Sequence, residues 1–150
     1  MKVVIQRVSK ASVTIDGEKV AIIGLGFLIL LGIELEDAQE DIDWLSGKIA
    51  RLRVFNDEND AMNLSISDVN GEVIVVSQFT LHASTKKGNR PSFIKAARPE
   101  MATPLYENFV IALEEETGKK IQTGEFGEMM DISMINQGPV TIIIDSKVRE

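Results

Sequence analysis

The chain contains no cysteine. Disulfides, thiolate metal sites and a cysteine nucleophile are therefore excluded, and a reducing compartment fits. Histidine occurs once, as His82. A multi-histidine metal centre is excluded, and a Ser-His-Asp triad survives only with His82 as its base. Long hydrophobic runs are also missing. The longest, Leu25 to Ile33, is broken by Gly26 and Gly32 and falls far short of the ~20 apolar residues of a membrane-spanning helix. Met1-Lys2 leads straight into strand-like alternation with no secretory h-region. These absences predict a soluble, cytoplasmic protein with no membrane partner, no metal and no cofactor. An excess of positive charge is lacking too. The net charge of −7 argues mildly against a nucleic-acid partner, although a local basic patch is enough to bind phosphates. Lys86, Lys87 and Arg90 supply one candidate patch.

The 150 residues suit one domain spanning 1–150, able to bury about two-thirds of its unfolded surface. Alternation predicts strands over Lys2 to Val8 and Ser12 to Ile15, with a hairpin turn at Asp16-Gly17 and a return over Glu18 to Ile23. Phe27 to Leu31 is apolar on both faces, as in a central strand. A helix is predicted from Asp37, with Glu40 completing a capping box and Ile42, Leu45, Ile49 and Leu52 at helical spacing. Asn56 to Asp60 reads as a polar loop. Met62 to Ile66 and Glu72 to Phe79 read as strands joined by a turn at Asn70-Gly71. A long loop carries the basic patch. A second helix is predicted near Thr103, with Pro104 in its first position, and ends at Gly118. Met129 to Ile135 and Val140 to Ile144 read as strands joined by a tight turn, Asn136 to Pro139. About eight strands and two helices imply an α/β fold: a mixed, mostly antiparallel sheet or open barrel with two main helices packed on it.

Three segments are able to carry chemistry. Ser77-Gln78-Phe79-Thr80-Leu81 ends a buried strand, where freed N–H groups can form an oxyanion hole; equally, its polar side chains can simply cap loose backbone. Thr80 is a nucleophile candidate. Positions i and i+2 of a strand share a face, so His82 is its candidate base; the plainer reading of His82 is a solvated surface residue. Asn136-Gln137-Gly138-Pro139-Val140-Thr141 reads as a turn in which glycine lets the backbone approach a ligand closely. Lys86-Lys87-Gly88-Asn89-Arg90-Pro91-Ser92-Phe93 reads as a solvated loop or a phosphate-contacting one. Met129, Met130 and Met134 read as core filler.

Together these segments resemble the D-aminoacyl-tRNA deacylase family. Ser77 to Leu81 and Asn136 to Thr141 look like its two signature motifs, in the right order. Val4 to Val8, Lys87 to Phe93 and Thr123 to Gly127 add to a likeness that spans the chain. The resemblance implies a homodimer acting on aminoacyl-tRNA, with each site shared between subunits. It implies a cis Gly138-Pro139 peptide whose carbonyls face the partner's pocket and exclude L-side chains, with Arg7, Asn136 and Thr141 around it. Achiral glycyl-tRNA becomes a second substrate. The resemblance further implies that Ser77, Gln78, Phe79 and Thr80 form the catalytic segment, with N–H groups near Gln78 and Phe79 holding the oxyanion and Thr80 orienting the substrate. The 2′-hydroxyl of the terminal adenosine helps to activate water, and Phe126 and Met129 line the adenosine pocket. Gln137, His82 and Glu128 depart from the residues frequent in the family. Two alternatives stay open: a related editing deacylase with a trans Gly-Pro that acts on L-alanyl-tRNA mischarges, and a non-catalytic RNA-binding module.

Overall fold

The computed structural model describes residues 1–150. In order, the elements are β1 (Lys2–Ile15), β2 (Glu18–Ile23), β3 (Gly26–Gly32), α1 (Gln39–Ala50), β4 (Phe55–Asn56), β5 (Met62–Leu64), β6 (Glu72–Ser77), a 3-10 helix (Phe79–His82), α2 (Pro99–Thr117), β7 (Gln122–Thr123) and β8 (Asp131–Asp145). The two strands expected over Lys2–Ile15 are one, because shifts of register near Arg7 and Ser9 keep the strand paired along its length. Asp16 and Gly17 both have positive φ, the geometry of a tight hairpin turn. β2 and β3 then lie end to end along one edge of β1, with Ala11 opposite Ile23 and Val8 opposite Gly26. β8 runs antiparallel along the other edge, from Asp145 opposite Lys2 to Asp131 opposite Thr14.

β6 joins β3 in parallel, and β7 joins β6. Gly26 permits the first of these pairings, since a Cβ there would sit 1.7 Å from the Glu72 carbonyl oxygen. The Gln122 side-chain amide donates to the Ile22 carbonyl and accepts from the Ile22 N–H, each at 2.8 Å. β7 is thus stitched back to β2, and the mixed sheet curls into the open barrel with two helices that the sequence implies. Alternation along β3 feeds two cores. Phe27, Ile29 and Leu31 pack with Ile42, Leu45, Ile49, Phe109 and Leu113 from the helices. Leu28 packs with Val8, Val13, Ile23, Ile74 and Val76 on the opposite face. No helix is long and apolar enough to cross a membrane.

Several local expectations fail for non-local reasons. Asn70 does turn the chain with positive φ, but β5 pairs with β4 and β6 pairs with β3. α1 begins at Gln39 with Ala38 as its cap, and the Asp41 carboxylate accepts the Ala38 N–H at 2.9 Å. Asp37 is buried instead, accepting from the Glu34 N–H at 2.8 Å and from the Met1 ammonium. α2 starts at Pro99, so Pro104 lies inside it and removes one intrahelical bond. Gly118, at φ 68°, ends α2 as expected.

Candidate active site

Pairing of β3 with β6 ends where Leu31 faces Ser77, and the Gln78 N–H donates to the Leu31 carbonyl at 2.7 Å. The chain then tightens into the 3-10 helix. Thr80 and His82 therefore do not share a strand face. Thr80 is exposed, and its hydroxyl accepts a hydrogen bond from Gln78 Nε2. His82 is buried, at 7% exposure, rather than solvated. Its Nδ1 lies 3.8 Å from Glu34 Oε2, and its Nε2 has no partner. Gly32 makes room for this ring: a Cβ there would lie 3.1 Å from His82 Cδ2. The nucleophile–base pair is absent. Phe79 and Thr80 head a short helix, so their N–H groups have no intrahelical acceptor, while that of Gln78 is already taken.

The Gly-Pro segment is not a turn between two strands. It is a bulge in one strand, β8: Asn136 pairs with Val8 and Thr141 with Gln6, leaving Gln137 to Val140 opposite Arg7 alone. The Asn136 side-chain amide closes the bulge by donating to the carbonyls of Arg7 and Val140 at 3.1 and 3.0 Å. Arg7 is buried beneath it. Its Nε donates to the Gln137 carbonyl at 3.1 Å, and its Nη1 to the Val54 carbonyl at 2.7 Å and to Asn56 Oδ1 at 3.0 Å. The Thr141 hydroxyl donates to Gln6 Oε1. The Gly138-Pro139 peptide is cis, and Gly138 has φ 124°. Both residues are exposed.

These two segments do not meet within one chain. Arg7 lies in the row of Phe27 and Val73, whereas Ser77 lies in the row of Val3 and Leu31. Four residues along the strands and three strand spacings across correspond to about 13 Å by about 14 Å. Phe126 packs edge-on against Tyr106 at 5.7 Å between ring centroids. The Tyr106 hydroxyl donates to the Val75 carbonyl at 2.9 Å. Burial pushes its pKa up to about 12, against the opposing effect of a hydrogen bond with Thr123. Met129 is 88% exposed and Met134 partly so, which corrects their reading as core filler; Met130 does pack on the second core. The basic loop is pinned at its base by reciprocal Ser84–Ser92 backbone bonds of 2.8 and 2.9 Å. Lys86, Lys87 and Arg90 are exposed near its tip, where Gly88 has φ 80°. No group of three or more His, Asp or Glu residues is placed to hold a metal ion.

The family model for D-Tyr-tRNA(Tyr) deacylase matches residues 4–145, a span that includes both segments. The chain belongs to this family. It is 66% identical to a D-aminoacyl-tRNA deacylase of Flavobacterium johnsoniae and 68% identical to one of Flavobacterium psychrophilum, each over the whole of both chains. The solved structure of a c-Myc DNA Unwinding Element Binding Protein superposes with a TM-score of 0.90 at 42% identity, covering 97% of this chain and 98% of that one. A probable eukaryotic D-amino acid tRNA deacylase shares the fold at 15% identity, with a TM-score of 0.81 over 95% and 97% of the two chains.

For this family member, sequence reasoning missed the residues that support the site rather than form it. Gln6 falls within the family-like stretch Val4 to Val8, but nothing in the sequence assigns it a partner. Val54 and Asn56 carry no signal, because Arg7 reaches a backbone carbonyl and a loop amide far along the chain. Phe93 reads as part of the basic loop, but its contact with Phe79, edge-to-face at 5.1 Å, depends on how the loop folds back.

Proposed function

We propose that the protein is a cytoplasmic, homodimeric hydrolase that cleaves the ester joining a D-amino acid to tRNA, accepts glycyl-tRNA, and rejects L-aminoacyl-tRNA. One observation carries the shared-site part of this reading. The Gly138-Pro139 bulge is closed by Asn136, held from beneath by Arg7 and exposed at a sheet edge, yet it lies far from Ser77 to Thr80 of its own chain. A two-fold copy supplies the geometry that brings one chain's bulge to the other's catalytic segment.

In that site the Phe79 N–H donates to the ester carbonyl oxygen as negative charge develops there. The Gln78 N–H is spent on Leu31, so the Gln78 side chain acts by orienting the Thr80 hydroxyl towards the substrate. Carbonyl oxygens of the bulge occupy the space that an L-side chain would need; a D-side chain points away, and glycine has none. Water, assisted by the 2′-hydroxyl of the terminal adenosine, adds to the ester carbon. The carbon–oxygen bond to the tRNA breaks, and its oxygen leaves with a proton. His82 faces Glu34 and takes no proton in this scheme. Phe126 and Met129 line the side on which the adenosine sits, while Lys86, Lys87 and Arg90 meet phosphates.

The test is deacylation of D-tyrosyl-tRNA, L-tyrosyl-tRNA and L-alanyl-tRNA, alongside sedimentation at micromolar protein. Cleavage of the D-ester alone by a dimer is expected. Cleavage of L-alanyl-tRNA with the D-ester spared would make the protein an editing deacylase of the other kind. Binding without hydrolysis would make it an RNA-binding module. Rapid quenching is expected to trap no acyl-threonine at Thr80.

A further inference from the structure

We propose that the Phe79–Phe93 pair is a stacking platform for an unpaired base of the tRNA 3′ tail, upstream of the terminal adenosine. This rests on the tRNA substrate read above and adds a binding subsite to it. Three observations converge on it.

The first is charge. From Val73 to Pro99 the chain has no Asp or Glu, so all 23 acids lie elsewhere, yet this stretch holds Lys86, Lys87, Arg90, Lys95 and Arg98. All five are exposed, and none takes part in an ion pair. In a chain of net charge −7, this is the face that attracts a polyanion. The second is aromatic exposure. Phe27, Phe55 and Phe109 are buried, whereas Phe79 is 55% and Phe93 36% exposed, and Ile94 beside them is 84% exposed. Two rings in edge-to-face contact on an open surface leave apolar area, including ring face, in water at a cost that covering it removes. Aromatic faces flanked by cations are how proteins hold single-stranded nucleic acid: rings take the bases and cations take the phosphates.

The third is position. Phe79 adjoins Thr80, and Phe93 directly follows Ser92, whose bonds to Ser84 close the basic loop. A base on this pair therefore lies between the ester and the cations, in the order in which a 3′ tail would thread past them. In the dimer proposed above the partner's bulge meets Ser77 to Thr80, whereas a two-fold contact centred on Phe93 would bring these unpaired cations against their own equivalents, which disfavours a second copy as the occupant of the Phe93 side.

The test measures binding of unacylated tRNA, with its 3′ tail intact or removed, and carries 2-aminopurine in the tail as a stacking reporter. Phe93→Ala is expected to weaken binding of intact tRNA by about tenfold, in the range of loss of one base stack, and to abolish quenching of the reporter. Phe93→Leu keeps apolar bulk and should fail in the same way, whereas Phe93→Tyr should bind as the wild type does. Tail-less tRNA should bind all four proteins equally. Wild-type affinity in Phe93→Leu, equal losses on tail-less tRNA, or a changed sedimentation coefficient would overturn the proposal, the last by making this face a contact between copies. Because the readout is binding, a wild type that failed to hydrolyse D-tyrosyl-tRNA but bound its tail through Phe93 would sink the deacylase reading and leave this one standing.

Discussion

Two polar clusters cap the same end of the sheet on different terms. On the β1–β8 side, Asp37, Asp41 and Ser146 are buried, and every group has a partner. Asp41 accepts from the Ser146 hydroxyl at 2.6 Å, from Lys147 at 2.9 Å and from the Ala38 N–H, and Ser146 accepts from the Met1 ammonium. On the β6 side, Phe79 and Thr80 are exposed at the head of the 3-10 helix, the Phe79 and Phe93 rings lie open, and His82 Nε2 is buried without a partner. Glu34 stands between them, its N–H bonded to Asp37 and its carboxylate facing His82. Buried polar groups that are fully paired fix a structure, while unpaired ones are kept where something else must be met. If the β6 side is the site proposed above, the difference teaches that stability and function are separated by a few residues, not by domains.

The largest expected effect tests that separation. Asp41→Ala strips the cap of α1, leaves the Ser146 hydroxyl without its acceptor and leaves Lys147 with only the Glu36 carbonyl and the more distant Asp37. It should cost about 3 kcal/mol, or about 6–12 °C in Tm for a chain of this size. Deacylation per folded molecule should hardly change; a specific loss of rate would break the comparison. The same carboxyl gives a pH signature. Burial alone would raise its pKa, but hydrogen bonds from Ser146, Lys147 and the Ala38 amide outweigh burial and lower it to about 2. Its contribution is therefore complete above the ordinary carboxylate pKa of about 3.9 and lost as pH falls through the folded value. With Lys147 open to solvent, about 1–2 kcal/mol is at stake. Unfolding curves between pH 5 and pH 2 should be flatter for Asp41→Asn than for the wild type.

On the other side, activity should fall before stability does. A Cβ on Gly138 would lie 2.9 Å from Arg7 Nη2 and 3.1 Å from the Val140 nitrogen, on a backbone with φ 124°. Gly138→Ala should shift the bulge and lower kcat/KM on D-tyrosyl-tRNA by about 10²-fold, the scale of an ångström of misplacement, with the fold retained by circular dichroism. Unchanged kinetics would remove the bulge from the site. His82→Ala should cost about 2 kcal/mol by emptying a packed position and slow deacylation less than a 2′-deoxy terminal adenosine does. The reverse ranking would return His82 to proton transfer.

Much of this was legible because it is local. Alternation located β1 and β2, runs of apolar residues located β3 and β6, and the two motifs pointed to the segment proposed as catalytic and to the Gly-Pro bulge. What was not legible depends on partners distant in sequence. Asp37 looks like a helix cap until it is buried beside Met1, and Asp41 takes over the capping. Asn70-Gly71 is a true turn whose following strand finds β3, not its sequence neighbour. Asn136 to Pro139 reads as a hairpin because no local signal says that β1 continues past it and pairs on both sides. His82 reads as a surface residue because the space that buries it is made by Gly32.

The smallest expected effect sharpens the open side of the comparison. Lys86, Lys87 and Arg90 are pinned only through the loop base, so replacing any one should leave Tm within error. If each meets a phosphate, each neutralisation should flatten the plot of log affinity against log salt by about 0.7–0.9, the counterions released per contact. At low salt this weakens tRNA binding, while at high salt wild type and variant converge. The rate at saturating tRNA should stay within about twofold, because phosphate contacts position the substrate without touching the ester. The triple substitution should sum the three slopes, since exposed lysines and arginines without shared partners act independently. A slope that stays fixed while affinity drops would mean that the loop acts through its shape, by carrying Phe93, and that its charge is incidental.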